Sequence, residues 1–460
     1  MKKSATTEKK TNKHDAEHCT VSECEICKLK ISFELPPEIV DAYKEGNLVI
    51  FAGSGVSTES SGVFPLTFYQ EIKDELNIPK EEKIRFSKLM TLYSSNPRTR
   101  KDLFQAIKNR IDYVKSFPEL YARATEFHRE LSTIPHLDEI FTTNWDDFFE
   151  RECYATPIVT GEDFAVLQDT SGRKVFKLHG SIYNYGSIVA TEKDYKKCYR
   201  RLSKGIIGAK LKILLMSKTL VFFGFSFDDE DFQRLYRLLK KEVGGLIPQS
   251  YVVTLDKQAK EKLSSLKINA TPIITSAAFF IQQFKTKLVE EKLMLPDEKF
   301  DGIYEALEKV MIEHGKTSIY YHKNHPDSIY SLCYQDGLQH AFERMLATKS
   351  SGEYSCGTRV VNGIESYEHL IKERLHQRRY NDVAYFRGYQ SGLMYLLLDE
   401  KDRALMPLYF LFKCEDITSF DQYKKLEKNA AKMHKAAHKL AEKRAKGISK
   451  NLVYHHTPFS

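Results

Sequence analysis

The stretch LVIFAGSGVSTESS, Leu48 to Ser61, decides how the rest of the chain is read. Five apolar or small residues, Leu48–Ala52, run unbroken into Gly53-Ser54-Gly55 and then into a series of hydroxyl side chains. That order predicts a buried strand ending in a tight glycine turn and entering a helix. Glycine lets the backbone approach a ligand closely, and the first free N–H groups of a helix point at an anion, so the turn suits a phosphate. Taken alone, it is equally a plain strand-to-helix connection.

Composition narrows the setting. A chain of 460 residues has room for two or three domains and a sizeable core. No run approaches the ~18 uninterrupted apolar residues of a membrane span, so no membrane partner is expected. The N-terminal MKKSATTEKKTNKHD is basic but lacks the apolar core of a secretory signal. Eight cysteines in this length point to reduced thiols and a cytoplasmic protein rather than a disulfide scaffold. Of the net charge of +8, the segment Asp421–Lys450 supplies +7, from ten Lys/Arg against three Asp/Glu. The basic character therefore belongs to the tail.

Residues 1–30 read as a flexible leader. Over 31–288, strand-like runs at Leu48–Ala52, Glu139–Thr142, Val175–Leu178, Thr219–Phe223, Tyr251–Leu255 and Pro272–Thr275 alternate with amphipathic stretches such as Pro118–Ile134 and Asp229–Lys241. The alternation predicts an α/β fold, a Rossmann-like, mainly parallel sheet with helices on both faces. A charged connector, 289–302, leads into an α-helical C-terminal domain, 303–460, that ends in a basic helix. In that helix, expected over Tyr423–Lys446, Leu426, Ala430, Met433, Ala437 and Leu440 alternate at spacings of four and three. The pattern fits a short coiled-coil seam or a helix packed on its own domain.

Ligands of open parallel sheets sit at the carboxyl ends of the strands, and four such ends carry chemistry here. The glycine turn is the first. The second, IFTTNWDDFFE, sets Thr142, Thr143, Asn144 and Asp146 directly after a strand, where Asn and Asp also serve as helix caps. The third, VFKLHGSIYN, ends in His179 and Gly180. A lone histidine there is usually a core residue, but the glycine gives something room beside the imidazole. The fourth, TLVFFGFSFDDEDF, brings Gly224 and Ser226, then acids that would repel a phosphate placed on them. As a dinucleotide fingerprint the first turn has Thr58 where the third glycine belongs, and no strand ending in an acid follows about twenty residues on. An ordinary Rossmann oxidoreductase is disfavoured.

Together and in this order, FAGSGVS, TTNWD, KLHGSI and FFGFSFDD resemble the sirtuin-like family of NAD-binding proteins, over about residues 35–285. The resemblance implies that Gly53, Ser54, Gly55 and Ser57 cradle the NAD pyrophosphate. It implies that Asn144 and Asp146, with Thr143 beside them, meet the nicotinamide side and its ribose. His179 matches the family's catalytic histidine, and Gly224 and Ser226 match its adenosine and phosphate end. Two departures matter. Between the histidine and the Gly-x-Ser element, Gly180 to Phe223, the only cysteine is Cys198, so the four-thiolate zinc module of the family's protein deacylases cannot form and no metal is expected in the catalytic domain. The family's Asp-Phe-Arg after the glycine turn is also missing, replaced by GVFPLTFYQ, Gly62 to Gln70.

The pattern instead resembles the bacterial branch that hydrolyses NAD in phage defence. What that implies is an NAD+ glycohydrolase releasing nicotinamide and ADP-ribose, regulated as an abortive-infection effector. Alternatives are a non-catalytic sensor that binds NAD or ADP-ribose and, less favoured, an NAD-dependent ADP-ribosyltransferase or deacylase. The C-terminal domain is expected to make a homo-oligomer, hold a partner protein, or both. Lys432, Lys435, Lys439, Lys443 and Arg444 offer phosphate contacts to nucleic acid, although a solvated helix face is the commoner use of such a run. Near the N-terminus, His14, His18, Cys19, Cys24 and Cys27 supply enough ligands for a zinc ion, or are unligated side chains of the leader.

Overall fold

The structure, a computed structural model, describes residues 29–95, 97–166, 172–225, 249–322, 328–433 and 435–445. Residues 1–28 of the leader, with its histidines and cysteines, Ser226 and the expected helix Asp229–Lys241 lie outside the described residues.

Seven strands form one sheet: β1 (Leu48–Ala52), β2 (Glu139–Thr142), β3 (Thr156–Ile158), β4 (Lys174–Lys177), β5 (Thr219–Phe223), β6 (Ser250–Thr254) and β7 (Thr271–Ile274). Their order is β3-β4-β2-β1-β5-β6-β7, and β1 pairs in parallel with β2 on one side and β5 on the other. The expected parallel α/β sheet is thus what forms. β1 sits where the chain, having laid β2, β3 and β4 on one side, returns to lay β5 on the other. That is the switch point at which such sheets open a crevice.

Register explains the strands' stability. Phe51, Phe141, Phe176 and Phe222 occupy matched positions on β1, β2, β4 and β5. Their rings run as a ladder: Phe51 stacks on Phe141 at 5.0 Å and Phe141 on Phe176 at 4.7 Å, while Phe222 tilts against Phe51 at 5.1 Å. Aromatic cross-strand pairs of this kind each add roughly 0.2–1 kcal/mol to a sheet. The ladder's face is covered by the helices Glu192–Lys204 and Ile206–Ser217, through Tyr195, Cys198, Leu202, Ile207 and Leu211. On the opposite face Phe223 meets Phe127 at 5.0 Å and Phe280 at 5.3 Å, from the helices Glu126–Ser132 and Ala277–Glu290. Both faces are buried, as a parallel sheet requires.

The chain divides into two compact units. One comprises Met1–Glu130, Glu139–Phe148 and Pro157–Phe284, and holds the sheet. The other comprises Leu131–Asp138, Phe149–Thr156 and Lys285–Ser460. Its centre is the parallel pair of helices Ile329–Thr348 and Tyr380–Leu397, which approach through glycine: a Cβ on Gly388 would stand 1.8 Å from the Tyr334 carbonyl oxygen, and one on Gly337 2.0 Å from that of Tyr385. A short hairpin, β8 (Tyr409–Leu411) with β9 (Cys414–Ile417), joins this helical unit and was not foreseen in the sequence. The expected terminal helix is described over Phe420–Met433 and Lys435–Ala445, on either side of His434, which lies outside the described residues. Tyr423, Ala430 and Ala437 are buried in the unit's own core, so the seam is packed at home.

Candidate active site

The four chemically marked strand ends are fastened to one another. Because Ala52, Thr142 and Phe223 share a register row, with Lys177 opposite Thr142, the residues after them leave the sheet at one level. Gly53 N–H donates to the Phe223 carbonyl at 2.8 Å and Gly55 N–H to that of Gly224 at 3.0 Å, tying the β1 and β5 turns together. Gly224 has φ +69°, and a Cβ there would lie 2.6 Å from Val56 N. A Cβ on Gly53 or Gly55 would likewise collide with Gly224. These glycines are demanded first by the close approach of two turns.

The helix expected after the glycine turn does not form. Ser54–Val56 is a single 3-10 turn, and Ser57 leaves it with ψ −124°. The cause is tertiary: the Ser57 hydroxyl, fully buried, donates to Oδ2 of Asp146, 89 residues on, in a short hydrogen bond. The Phe148 N–H donates to the other carboxylate oxygen at 3.2 Å, and the Lys177 ammonium donates to the Asp146 carbonyl. Burial holds the Asp146 carboxyl above its ordinary range, against the pull of Lys177 and of both hydrogen bonds.

Asn144 is positioned from both ends. Its N–H donates to Thr142 Oγ1 at 3.0 Å, while that hydroxyl donates to the Ala52 carbonyl at 2.9 Å. Its Nδ2 donates to the Gly53 carbonyl at 3.1 Å. Among the described residues the remaining Oδ1 is buried with no hydrogen-bond partner, and so is Nε1 of the adjacent Trp145. Leaving such groups open costs about 1–3 kcal/mol each. The His179 ring, on the loop after β4, lies edge-on to Tyr195 at 5.3 Å, and its carbonyl accepts from Val189 N–H at 3.0 Å. Gly180 has φ +87°, and a Cβ on it would stand 2.3 Å from the Ser187 carbonyl oxygen. That glycine makes room for the chain's own turn, not for a ligand beside the imidazole.

A cavity of about 1200 Å³ opens at these strand ends. Ser54, Gly55, Thr143, Asn144, Asp146, His179 and Gly224 all line it. Gly53 and Ser57 do not; they lie behind the wall, where Ser57 holds Asp146. Sequence reasoning missed Trp145, Tyr195, Glu59 and Arg110, which line it too. Trp145 carried a signal, being the only tryptophan in the chain. The others come from helices and a loop with no local motif. Cys198 is buried under the sheet and its thiol donates to the Leu178 carbonyl at 3.4 Å. Among the described residues no helix is long and apolar enough to cross a membrane.

Part of the chain resembles known proteins. A family profile described as SIR2-like domain matches residues 138–273, which run from β2 to β7. The chain is 31% identical over 212 residues to a protein of Cytobacillus dafuensis named NAD(+) hydrolase ThsA, covering 45% of this chain and 41% of that one. A protein of Enterococcus faecium with the same name is 29% identical over 201 residues, 42% of this chain and 40% of that one. Defense-associated sirtuin 2 of Bacillus subtilis is 22% identical over 291 residues, 60% of this chain and 26% of that one. The matches thus span about two fifths or less of these relatives' lengths. The glycine turn lies before the profile's first residue and joins the site through the sheet, where β1 runs between β2 and β5.

Proposed function

From a chain that carries a SIR2-like domain, we propose an NAD+ glycohydrolase that cleaves NAD to nicotinamide and ADP-ribose and acts in defence against phage. The observation that carries the reading is that Asn144 and His179, 35 residues apart in the sequence, line one cavity beside the interlocked turns at Gly55 and Gly224, with the Asn144 Oδ1 left open. The cavity has room for a dinucleotide.

Cleaving the bond between nicotinamide and ribose spreads positive charge onto the sugar, as in glycoside hydrolysis. Nicotinamide leaves from a cationic ring, so no acid is needed to expel it. The protein must hold the ribose and deliver water to C1′. With Nδ2 anchored on Gly53, Asn144 presents Oδ1 as an acceptor for a ribose hydroxyl or for the attacking water. A neutral His179 takes the proton, a service worth roughly 10²–10⁴-fold. Asp146 touches the same wall and, through Ser57 and Lys177, keeps the β1, β2 and β4 ends in register. Ser54, Gly55 and Gly224 meet the pyrophosphate and adenosine side, with Thr143 between the two halves; Gly53 and Ser57 support them from behind. Ser226 keeps its sequence-based assignment to the adenosine and phosphate end.

The name of the Bacillus subtilis relative supplies the defence role, and the helical unit is assigned to self-assembly or to a partner that controls the enzyme. The test is NAD consumption by the purified protein beside Asn144→Ala and His179→Ala. Turnover should fall at least about a hundredfold in each variant. Wild-type rates in both would remove the assignment.

A further inference from the structure

The rim of the cavity next to Asn144 is held by one buried guanidinium. Arg110, on the helix Arg100–Ser116, has a side chain only 8% exposed. Its Nε donates to Glu59 Oε1 at 3.0 Å, one terminal nitrogen to Glu71 Oε2 at 2.7 Å and the other to the Leu66 carbonyl at 2.8 Å. The plane also covers the Phe64 ring at 3.7 Å. The segment from Glu59 to Glu71 is therefore gripped at four points by a residue from elsewhere in the chain.

The grip continues toward the reacting end. Oε2 of Glu59 accepts the Phe68 N–H at 3.0 Å, the first of the helix Phe68–Glu75. The buried Phe68 ring stands edge-on to Trp145 at 6.4 Å, and Phe86 tilts against the same indole at 6.2 Å. Trp145 is the residue after Asn144. We infer that Arg110 is a positioning residue for Asn144, acting through Glu59, Phe68 and Trp145, and that this clamp fastens the cavity rim in a chain whose own post-glycine loop carries no arginine. A lysine cannot reproduce it, since one ammonium cannot span two carboxylates and a carbonyl while covering a ring.

Only the kinetic arm of the test rests on the NAD-cleaving reading. Because Trp145 is the sole tryptophan, its emission reports the clamp directly. In Arg110→Lys the emission maximum should move to longer wavelength as Phe68 loosens, and kcat for NAD should fall about tenfold with KM within about twofold. Glu59→Gln, which keeps one of the two Glu59 hydrogen bonds, should shift both readouts the same way by less, and serves if the lysine variant fails to fold. A folded Arg110→Lys or Glu59→Gln protein with unchanged emission, or with kcat within about twofold of wild type, overturns the inference. If the wild type does not cleave NAD, the functional reading fails and the emission shift alone decides: a red shift supports the clamp and none overturns it.

Discussion

The buried tyrosines of the helical unit and the strand ends of the sheet unit make a contrast. In the helical unit the core tyrosines find partners within it, although Gln335 Oε1 and Asn381 Oδ1 have none among the described residues. The Tyr334 hydroxyl donates to the Pro407 carbonyl at 3.0 Å and that of Tyr423 to Glu427 at 2.9 Å, while Tyr330 reaches the Ala437 carbonyl and Tyr409 reaches Glu313. Burial and the neighbouring carboxylate push the Tyr423 phenol well above its ordinary pKa, so it stays a donor. At the strand ends of the sheet unit, by contrast, the Asn144 carbonyl and the Trp145 indole N–H are buried and have no partner among the described residues. A hydroxyl with its acceptor in the chain contributes to the fold; an amide oxygen held still by two neighbours and left without a donor destabilises the fold and is available to a ligand.

Two glycine substitutions should separate these roles. Gly224→Ala places a methyl against Val56 N at a backbone φ of +69° that alanine resists, so the glycine turn must shift away from the cavity. A displacement near 1 Å at a reacting site costs about a hundredfold in rate, and NAD turnover should fall by that order. Gly388→Ala drives a methyl into the Tyr334 carbonyl and forces two helices apart. Overpacking of this kind costs about 1–3 kcal/mol, read as a lower denaturant midpoint, while turnover per folded molecule stays near wild type. Equal activity losses in the two variants would show that the helical core and the strand-end site are not separable in this way.

The contrast also explains what could be read in the sequence. β1, β2 and β5 run over the residues their apolar patterns predict, and β4, β6 and β7 are displaced by one. Strands buried on both faces are continuous apolar runs, and this makes them legible. β3, three residues long at the sheet edge, has no such run. Asn144 and His179 were readable because each follows a strand by two residues. Arg110, Glu59 and Tyr195 were not, because a helix residue aimed at a distant loop leaves no local pattern. The missing helix after Gly55 has the same origin: the hydrogen bond from Ser57 to Asp146 joins positions too far apart for any window to see. The segments Leu131–Asp138 and Phe149–Thr156, which flank β2 and its turn, group with the helical unit for reasons of packing alone.

Proton linkage offers a second contrast, between buried groups of opposite type in the sheet unit. His128 is fully buried against Phe127 and Phe148, and burial with the nearby Lys177 lowers its pKa to about 3. The folded state therefore binds fewer protons than the unfolded chain between that value and the ordinary ~6.5. Stability from this group is full above ~6.5 and falls by about 1.4 kcal/mol per pH unit as the solution is acidified toward 3. Asp146 and Glu59 act oppositely: burial raises both, so the folded state binds the extra protons and stability falls as pH rises from the ordinary carboxylate range through their raised values. In His128→Phe the carboxyl pair should be unmasked. Chemical denaturation at pH 4.5, 5.5 and 6.5 should then show stability changing less favourably with rising pH in the variant than in the wild type, and identical slopes would remove His128 from the linkage.

The smallest expected effect gives the sharpest comparison. Tyr334→Phe removes the donor to the Pro407 carbonyl in the helical core, and should cost about 1 kcal/mol with no change in turnover. Asn144→Ala removes one hydrogen bond, Nδ2 to the Gly53 carbonyl, but also the buried Oδ1 that has no partner among the described residues. The Gly53 carbonyl keeps the Val56 N–H at 3.3 Å as a second donor, so the loss leaves no buried group stranded. The two contributions oppose each other, and the net change in stability should stay within about 0.5 kcal/mol. A polar residue nearly as buried as Tyr334 would then be almost free to remove as far as folding is concerned, and only the NAD assay would register its absence. Were Asn144→Ala instead to cost as much stability as Tyr334→Phe, Oδ1 would have a partner within the fold, and the asparagine would belong with the tyrosines.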